Sequence, residues 1–347
     1  MDVRLSPEQQ ALREAAARLV DDLAPKSVAE LDDPARATRL DTAVTGSGWR
    51  ELRTPADGEL PLASAVEAAI VAEELGRVAA DTPFFGPTLA AELRRRAAAP
   101  GPAGAETVLL SPDLSGLAVV EDGDTLCSGV AVDARSAASA LALARNGEGY
   151  DLAVVPVTGA APGRDLTRPI ATVDRAPFER RHGASGPLTE ADIETWTALA
   201  IALTCADLVG TMRGAVRLAR SYAIVRQQYG VTIGTFQSVQ HMLADAFVSA
   251  EGSKSVALHA AWAADTLPAG EALDAAAVAK AYCARAARAV CETAIQVHGG
   301  IGNTWECFAH VHLRRAFLST QMLGDVGANL DRVAAHRKLG GVHDGLR

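Results

Sequence analysis

The chain has 347 residues, 49% of them hydrophobic and only 4% aromatic, with a formal net charge of -9. This length suggests roughly two or three domains with ample material for a core. The acidic balance, with Lys and Arg scattered, argues against nucleic acid as the main partner. Five cysteines (Cys127, Cys205, Cys283, Cys291, Cys307) form an odd set with no C-x-x-C spacing and read as reduced core residues, not as metal ligands or disulfides. The opening Met1-Asp-Val-Arg-Leu carries no signal-peptide pattern. The longest apolar run, Trp196 to Ala206, stops at Asp207, short of the roughly 20 residues that span a bilayer. A soluble cytoplasmic protein without membrane contact is expected.

Ser6-Pro7-Glu8-Gln9 reads as a helix start, with Ser6 as cap, Pro7 in the first turn and Gln9 completing a capping box. A second amphipathic helix is expected over about 62–79, with Val66, Ile70 and Leu75 on one side, and a third after Pro87. Pro100-Gly-Pro-Ala-Gly104 breaks the helical text. From Thr107 to about Val173, short apolar runs (108–110, 117–120, 152–157, 170–173) alternate with Gly, Asp and Pro turns and predict a small β-domain. Thr189-Glu-Ala-Asp192 is a further capping signature, opening a long helix to about Gln228. Three more helical stretches follow, at about 234–264, 271–298 and 304–338, and four long helices with short joints make a bundle.

Three blocks stand out in the second half: Arg226-Gln-Gln228-Tyr229-Gly230, Phe236-Gln237-Ser-Val239-Gln-His241, and Gln296-Val297-His-Gly299-Gly300. In order and spacing they resemble the C-terminal domain of the acyl-CoA dehydrogenases. Gly48-Trp49, Glu73-Glu-Leu-Gly-Arg77 and Pro83-Phe-Phe-Gly86-Pro87 resemble that family's N-terminal helical domain. The resemblance implies a mostly α protein with a small central β-domain. The expected parts are a helical domain over 1–101, a short β-barrel-like middle domain over 102–184 and a C-terminal four-helix bundle over 185–347.

The resemblance also implies FAD. A planar guanidinium suits a pyrophosphate because its fork donates to two oxygens at once, and Arg226 stands at that position with Gln228 and Tyr229 beside it. Phe236, Gln237 and Val239 match positions on the adenine and ribose side, and Gln296, Val297, Gly299 and Gly300 match a second adenosine contact. Gly299-Gly-Ile-Gly302 is not a dinucleotide fingerprint, since a helix and not a strand precedes it. In the family these residues reach a FAD whose ring lies mainly in the neighbouring subunit, so an oligomer is implied.

The family's base is a Glu that removes the α-proton of a thioester. Its two possible positions fall here on Leu323 and Ala200, neither of which can take a proton. Ile201 stands where many members carry an Arg for CoA, and the phrases that approach the flavin ring and its Trp-Ile-Thr segment are not found. Glu306 is expected to cap a helix or pair with Arg314 or Arg315. His298, His310 and His312 show no metal-ligand pattern, and no metal is expected.

Three readings follow. The first is the base-lacking subunit of a heterotetrameric, FAD-dependent acyl-CoA dehydrogenase, of the kind that acts in lipid metabolism and steroid degradation, with electron-transfer flavoprotein as acceptor. The second is a self-sufficient homo-oligomer whose base is Glu306, Glu194 or Asp325. The third is a binding or scaffold protein without redox chemistry.

Overall fold

The computed structural model describes residues 4–56, 60–147, 149–161 and 163–339. Met1 to Val3 and 340–347, where the expected outer domains begin and end, lie outside the described residues. Helix α1 (Pro7–Leu23) starts as expected: Ser6 Oγ accepts the Gln9 amide and Gln9 Oε1 accepts the Ser6 amide. Helix α2 (Pro34–Gly46), not anticipated from the sequence, is capped by Asp33, whose Oδ1 accepts the Ala35 and Arg36 amides. Helix α3 (Ala65–Arg77) carries a second capping box from Ser64 and Glu67. Helix α4 (Phe85–Arg96) begins before Pro87, which sits inside its first turn, where a missing amide costs nothing.

Seven strands follow: β1 (Glu106–Leu110), β2 (Val119–Val120), β3 (Leu126–Ala131), β4 (Ser139–Asn146), β5 (Gly149–Pro156), β6 (Ala171–Pro177) and β7 (Glu179–Arg181). They form one mixed sheet in the order β6-β3-β1-β4-β5-β7, with β2 paired to β4. The pairs β1–β4 and β2–β4 are parallel and the rest antiparallel. Strand β4 shows how the sheet is packed. Leu141 and Leu143 face the helices, while Ala140, Ala142 and Ala144 face a second, small-residue core with Ala118, Ala131, Ala153 and Ala171. Alanines on that side let the sheet curl tightly.

The remaining helices are α5 (Glu190–Val225), α6 (Gln237–Thr266), α7 (Ala269–His298), α8 (Ala309–Gln321) and α9 (Val326–His336). The fourth long helix of the expected bundle is therefore two helices, broken at Met322 to Asp325, where Leu323 (φ 61) and Gly324 (φ 88) leave helical geometry. Helix α5 is also longer in apolar character than the Trp196–Ala206 run suggests. It is long and apolar enough to cross a membrane, but 89% of its apolar window is buried inside the protein. It crosses α3 so closely that a Cβ on Gly210 would lie 2.0 Å from the Glu73 carbonyl.

One buried ion cluster ties four segments together. Asp207 on α5 receives Arg315 of α8 through Nε (2.9 Å) and Nη2 (2.7 Å) on one oxygen. Its other oxygen takes Arg168 Nη1 (3.1 Å) and Ser319 Oγ (2.8 Å). Arg168 also holds Asp165 (2.7 Å), and Arg315 Nη1 reaches Thr167 Oγ1 and the Ala80 carbonyl. Burial alone would raise the Asp207 and Asp165 carboxyls, but the two guanidinium groups keep both below the ordinary carboxylate range. Asp207→Ala leaves Arg315 buried without a carboxylate, and is expected to cost about 3–5 kcal/mol of unfolding free energy by denaturant titration. Ser319→Ala, which removes the hydroxyl that donates to Asp207 (2.8 Å) and accepts from Arg168 Nη2 (2.7 Å), is expected to cost about 2–3 kcal/mol.

Candidate functional site

Helix α5 stops at Val225 because Arg226 is extended (φ -71, ψ 127), its amide still bonded to the Tyr222 carbonyl at 2.9 Å. The chain then makes a two-residue hairpin between β8 (Gln227–Gln228) and β9 (Val231–Thr232). Tyr229 (φ 53) and Gly230 (φ 80) occupy the loop, both left-handed as a twist-matched hairpin turn requires. The Ile233 amide closes the hairpin onto the Arg226 carbonyl at 2.8 Å. The long helix therefore ends before Arg226 rather than at Gln228.

The hairpin is a presentation device. Arg226, Gln228 and Tyr229 are all exposed, Tyr229 at 95%. Among the described residues the Arg226 guanidinium has no ion-pair partner. Tyr229 stands edge-on to Phe236, with ring centroids 6.4 Å apart, which joins the hairpin to the start of α6. Gln237 is exposed there, while Val239 is half-buried against the core. On α7, Gln296 is exposed but Val297 is buried and contributes its side chain to packing. Gly299 has φ 66 and ψ -146, a conformation that essentially only glycine adopts, and open space lies where a Cβ on Gly299 or Gly300 would sit.

The end of α5 that leads into the first block meets the third block at one end of the bundle. Tyr222 on the last turns of α5 stacks on His298, the last residue of α7, with centroids 4.6 Å apart and planes 26° from parallel. The result is an exposed cation, an aromatic pair and a bare glycine turn on one end of the protein. That set can receive a diphosphate and a flat heterocycle.

The two positions expected for the base are closed. Ala200 is fully buried in mid-α5, as is Ile201. Leu323 is fully buried, and its amide donates to the Leu114 carbonyl, in the loop after β1, at 2.6 Å. Its own carbonyl accepts from Arg332 Nη1 at 2.6 Å, while Arg332 Nη2 reaches the Ser115 carbonyl at 3.0 Å. Lys280 of α7, fully buried, donates to the Ser319 (2.7 Å) and Met322 (2.5 Å) carbonyls. Two cations and a sheet loop thus hold the break where a family member would present its acid. A cavity of about 700 Å³ lined by Val28, Leu31, Arg135, Leu166 and Trp305 touches neither Leu323 nor Ala200.

The other acids are placed elsewhere. Asp325 is exposed and caps α9 through the Ala328 amide (2.9 Å). Glu194 is half-buried in the second turn of α5. Glu306 is exposed, with Thr304 Oγ1 at 3.4 Å, and among the described residues it neither caps α8 nor pairs with an arginine. Its expected partners are taken: Arg315 by Asp207, and Arg314 by the Arg164 carbonyl and the Trp305 ring, over which it lies. His310 and His312 are buried, and burial pushes His312 down to about 4.

Comparison with known proteins places the chain. The model of the acyl-CoA dehydrogenase C-terminal domain matches residues 197–336. The acyl-CoA dehydrogenase IpdE2 of Mycobacterium tuberculosis is 32% identical over 268 residues, 77% of this chain and 75% of that protein. The chain belongs to the acyl-CoA dehydrogenase family. FadE34 of the same organism, also named an acyl-CoA dehydrogenase, is 34% identical over 263 residues, and the chain spans 37% of its length. In structure the chain is similar to the Tcur3481-Tcur3483 steroid ACAD, with a TM-score of 0.79, 24% identity, and coverage of 96% of this chain and 98% of that one. That likeness is one of fold. FAD is the cofactor of the family.

Lys280, Arg332 and Leu114 were not singled out from sequence, and His298 was noted only as a histidine without a metal-ligand pattern. Lys280 left one signal: it lies in register with Ala276, Cys283 and Ala287 on the apolar face of α7, where a lysine must find carbonyls. Burial lowers it from 10.5 to about 8, with Cys205, Cys283 and Asp325 opposing and Arg332 adding to the shift. The unfolded chain keeps this proton up to its ordinary value and the folded chain releases it earlier, so folding gains stability as pH rises from about 8 to 10.5. The unfolding free energy of the wild type, relative to Lys280→Met, is expected to rise by up to about 3 kcal/mol across that window. A pH-independent difference between the two proteins refutes the assignment.

Proposed function

We propose that this chain is a subunit of a FAD-dependent acyl-CoA dehydrogenase that grips the adenosine diphosphate end of the cofactor and has no catalytic base of its own. The observation that carries this reading is the contrast between two places on one protein. The free guanidinium of Arg226 and the bare Gly299–Gly300 turn are open to solvent. Leu323 is sealed by the Leu114 carbonyl and by Arg332.

The donor set fits one end of FAD. Arg226 would give two parallel N–H bonds to the pyrophosphate, Gly299 and Gly300 would admit the diphosphate to the backbone, and Tyr229, Phe236, Gln228, Gln237 and Gln296 would line the adenosine. Val239 and Val297 would support that surface from beneath. When bound, FAD supplies the acceptor for the hydride leaving the β-carbon of a thioester. The α-proton must go to a carboxylate, and on this reading a partner acyl-CoA dehydrogenase chain provides it, with most of the acyl pocket. A heterotetramer, a steroid-derived thioester, electron-transfer flavoprotein as acceptor and a cytoplasmic setting complete the reading. The divisions 1–101, 102–184 and 185–347 serve as its domains.

Purified alone, the chain is expected to show no acyl-CoA-dependent reduction of an artificial electron acceptor. Co-expression with a Glu-bearing homologue is expected to give a flavin-loaded, active assembly. Arg226→Ala is expected to weaken FAD retention in that assembly by about 10- to 100-fold, the value of charge-assisted bonds to a phosphate. Turnover by the lone chain overturns the reading. Unchanged turnover of a Glu306→Gln variant would then remove the leading alternative base.

A further inference from the structure

We propose that the Tyr222–His298 stack is a clamp that sets the spacing between Arg226 and the Gly299–Gly300 turn, making both residues positioning residues for the adenosine end of FAD. This rests on the reading above and adds the device that aligns the two grips. Tyr222 acts from both ends of one residue. Its carbonyl holds the Arg226 amide (2.9 Å) at the point where α5 ends, and its ring lies on His298 (4.6 Å). His298 in turn is fixed: Nδ1 lies 2.7 Å from the Ala294 carbonyl, so that nitrogen carries the proton and donates it. The turn after His298 folds back on it, since a Cβ on Gly302 would lie 3.1 Å from His298 Cβ and 2.8 Å from the Ile295 carbonyl. A continuous chain of contacts thus runs from Arg226 through Tyr222 and His298 to Gly299.

Most of the packing between these two helix ends is made by short side chains. The buried residues of α5 nearest its end are Ala215, Ala219 and Ala223, and those in the last turns of α7, besides His298, are Ala287, Val290, Cys291, Ala294 and Val297. Alanine faces bring helices close but give shallow ridges, so they resist rotation and sliding weakly. Two flat rings in contact supply the missing registration.

The test uses the full chain, alone and with a co-expressed Glu-bearing acyl-CoA dehydrogenase subunit, titrated with FAD and with ADP well below the melting temperature. His298→Ala and Tyr222→Leu are expected to raise both dissociation constants about tenfold, and His298→Phe, which restores a ring without the Nδ1 bond, to stay within about twofold of wild type. Equal binding by wild type and His298→Ala overturns the clamp, as does a His298→Phe protein as weak as His298→Ala. If His298→Ala does not fold, Tyr222→Leu carries the same comparison. A wild-type chain that binds no FAD in either form, or an Arg226→Ala protein that binds it as wild type does, overturns the parent reading and the clamp with it.

Discussion

The Asp207 carboxylate is the constraint on which the rest of the architecture depends. From α5 it faces the sheet loop and α8 at once, through Arg168, Arg315 and Ser319. The ion-paired set holds two carboxylates, Asp165 and Asp207, against two guanidinium groups, so its charges match one for one, with buried Asp133 acting on Arg168 from further away. Neutrality matters because these groups are dry. An unmatched buried charge would cost several kcal/mol, whereas a closed set of charge-assisted bonds costs little and permits one arrangement of the segments. Arg315 Nη1 on the Ala80 carbonyl extends the same constraint to the N-terminal helices. With α8 fixed this way, the position of the break that follows it is fixed as well.

On the proposed reading, that break is where the chemistry of the family and the stability of this chain diverge. The last carbonyls of a helix need partners, and solvent often supplies them. Here Lys280 and Arg332 supply them from inside, and the loop after β1 covers the Leu323 amide. A lysine and an arginine aimed at backbone carbonyls solve the helix-end problem. The same few atoms hold the α8–α9 junction in place, and the Leu323 side chain beside them is fully buried.

Much of this fold was legible in the sequence because its signals are local. Ser6 with Gln9 and Thr189 with Asp192 announce helix starts through the capping bonds that they make. Strands β3 and β4 were missed for a local reason too. Ser139-Ala-Leu-Ala-Leu-Ala is good helix text, and only its burial on both faces of a curled sheet makes it a strand. The split between α8 and α9 was hidden in the same way, since neither Leu323 nor Gly324 breaks an apolar pattern and the tertiary partners Leu114 and Lys280 are far away in sequence. The candidate site divides along the same line. Arg226, Gly299 and Gly300 are visible as motif residues, whereas Tyr222 and His298 acquire meaning only when two helix ends meet.

A half-site of this kind makes a physical demand on its scaffold. A cofactor gripped partly by another chain is held only as well as its grips are aligned, and misalignment costs affinity before it costs stability. Alanine-rich helices suit a compact bundle, yet alanine cannot register one helix end against another. The chain has four tryptophans, four tyrosines and seven phenylalanines in all. It places Tyr222, Tyr229 and Phe236 within fifteen residues of one another at this end, with His298 closing the group. On the proposed reading, loss of the base removes any need for an open pocket at Leu323 but leaves the need for alignment at Arg226 untouched. The region around Leu323 can therefore close over hydrocarbon while the end of the bundle at Arg226 keeps its exposed guanidinium and bare glycines.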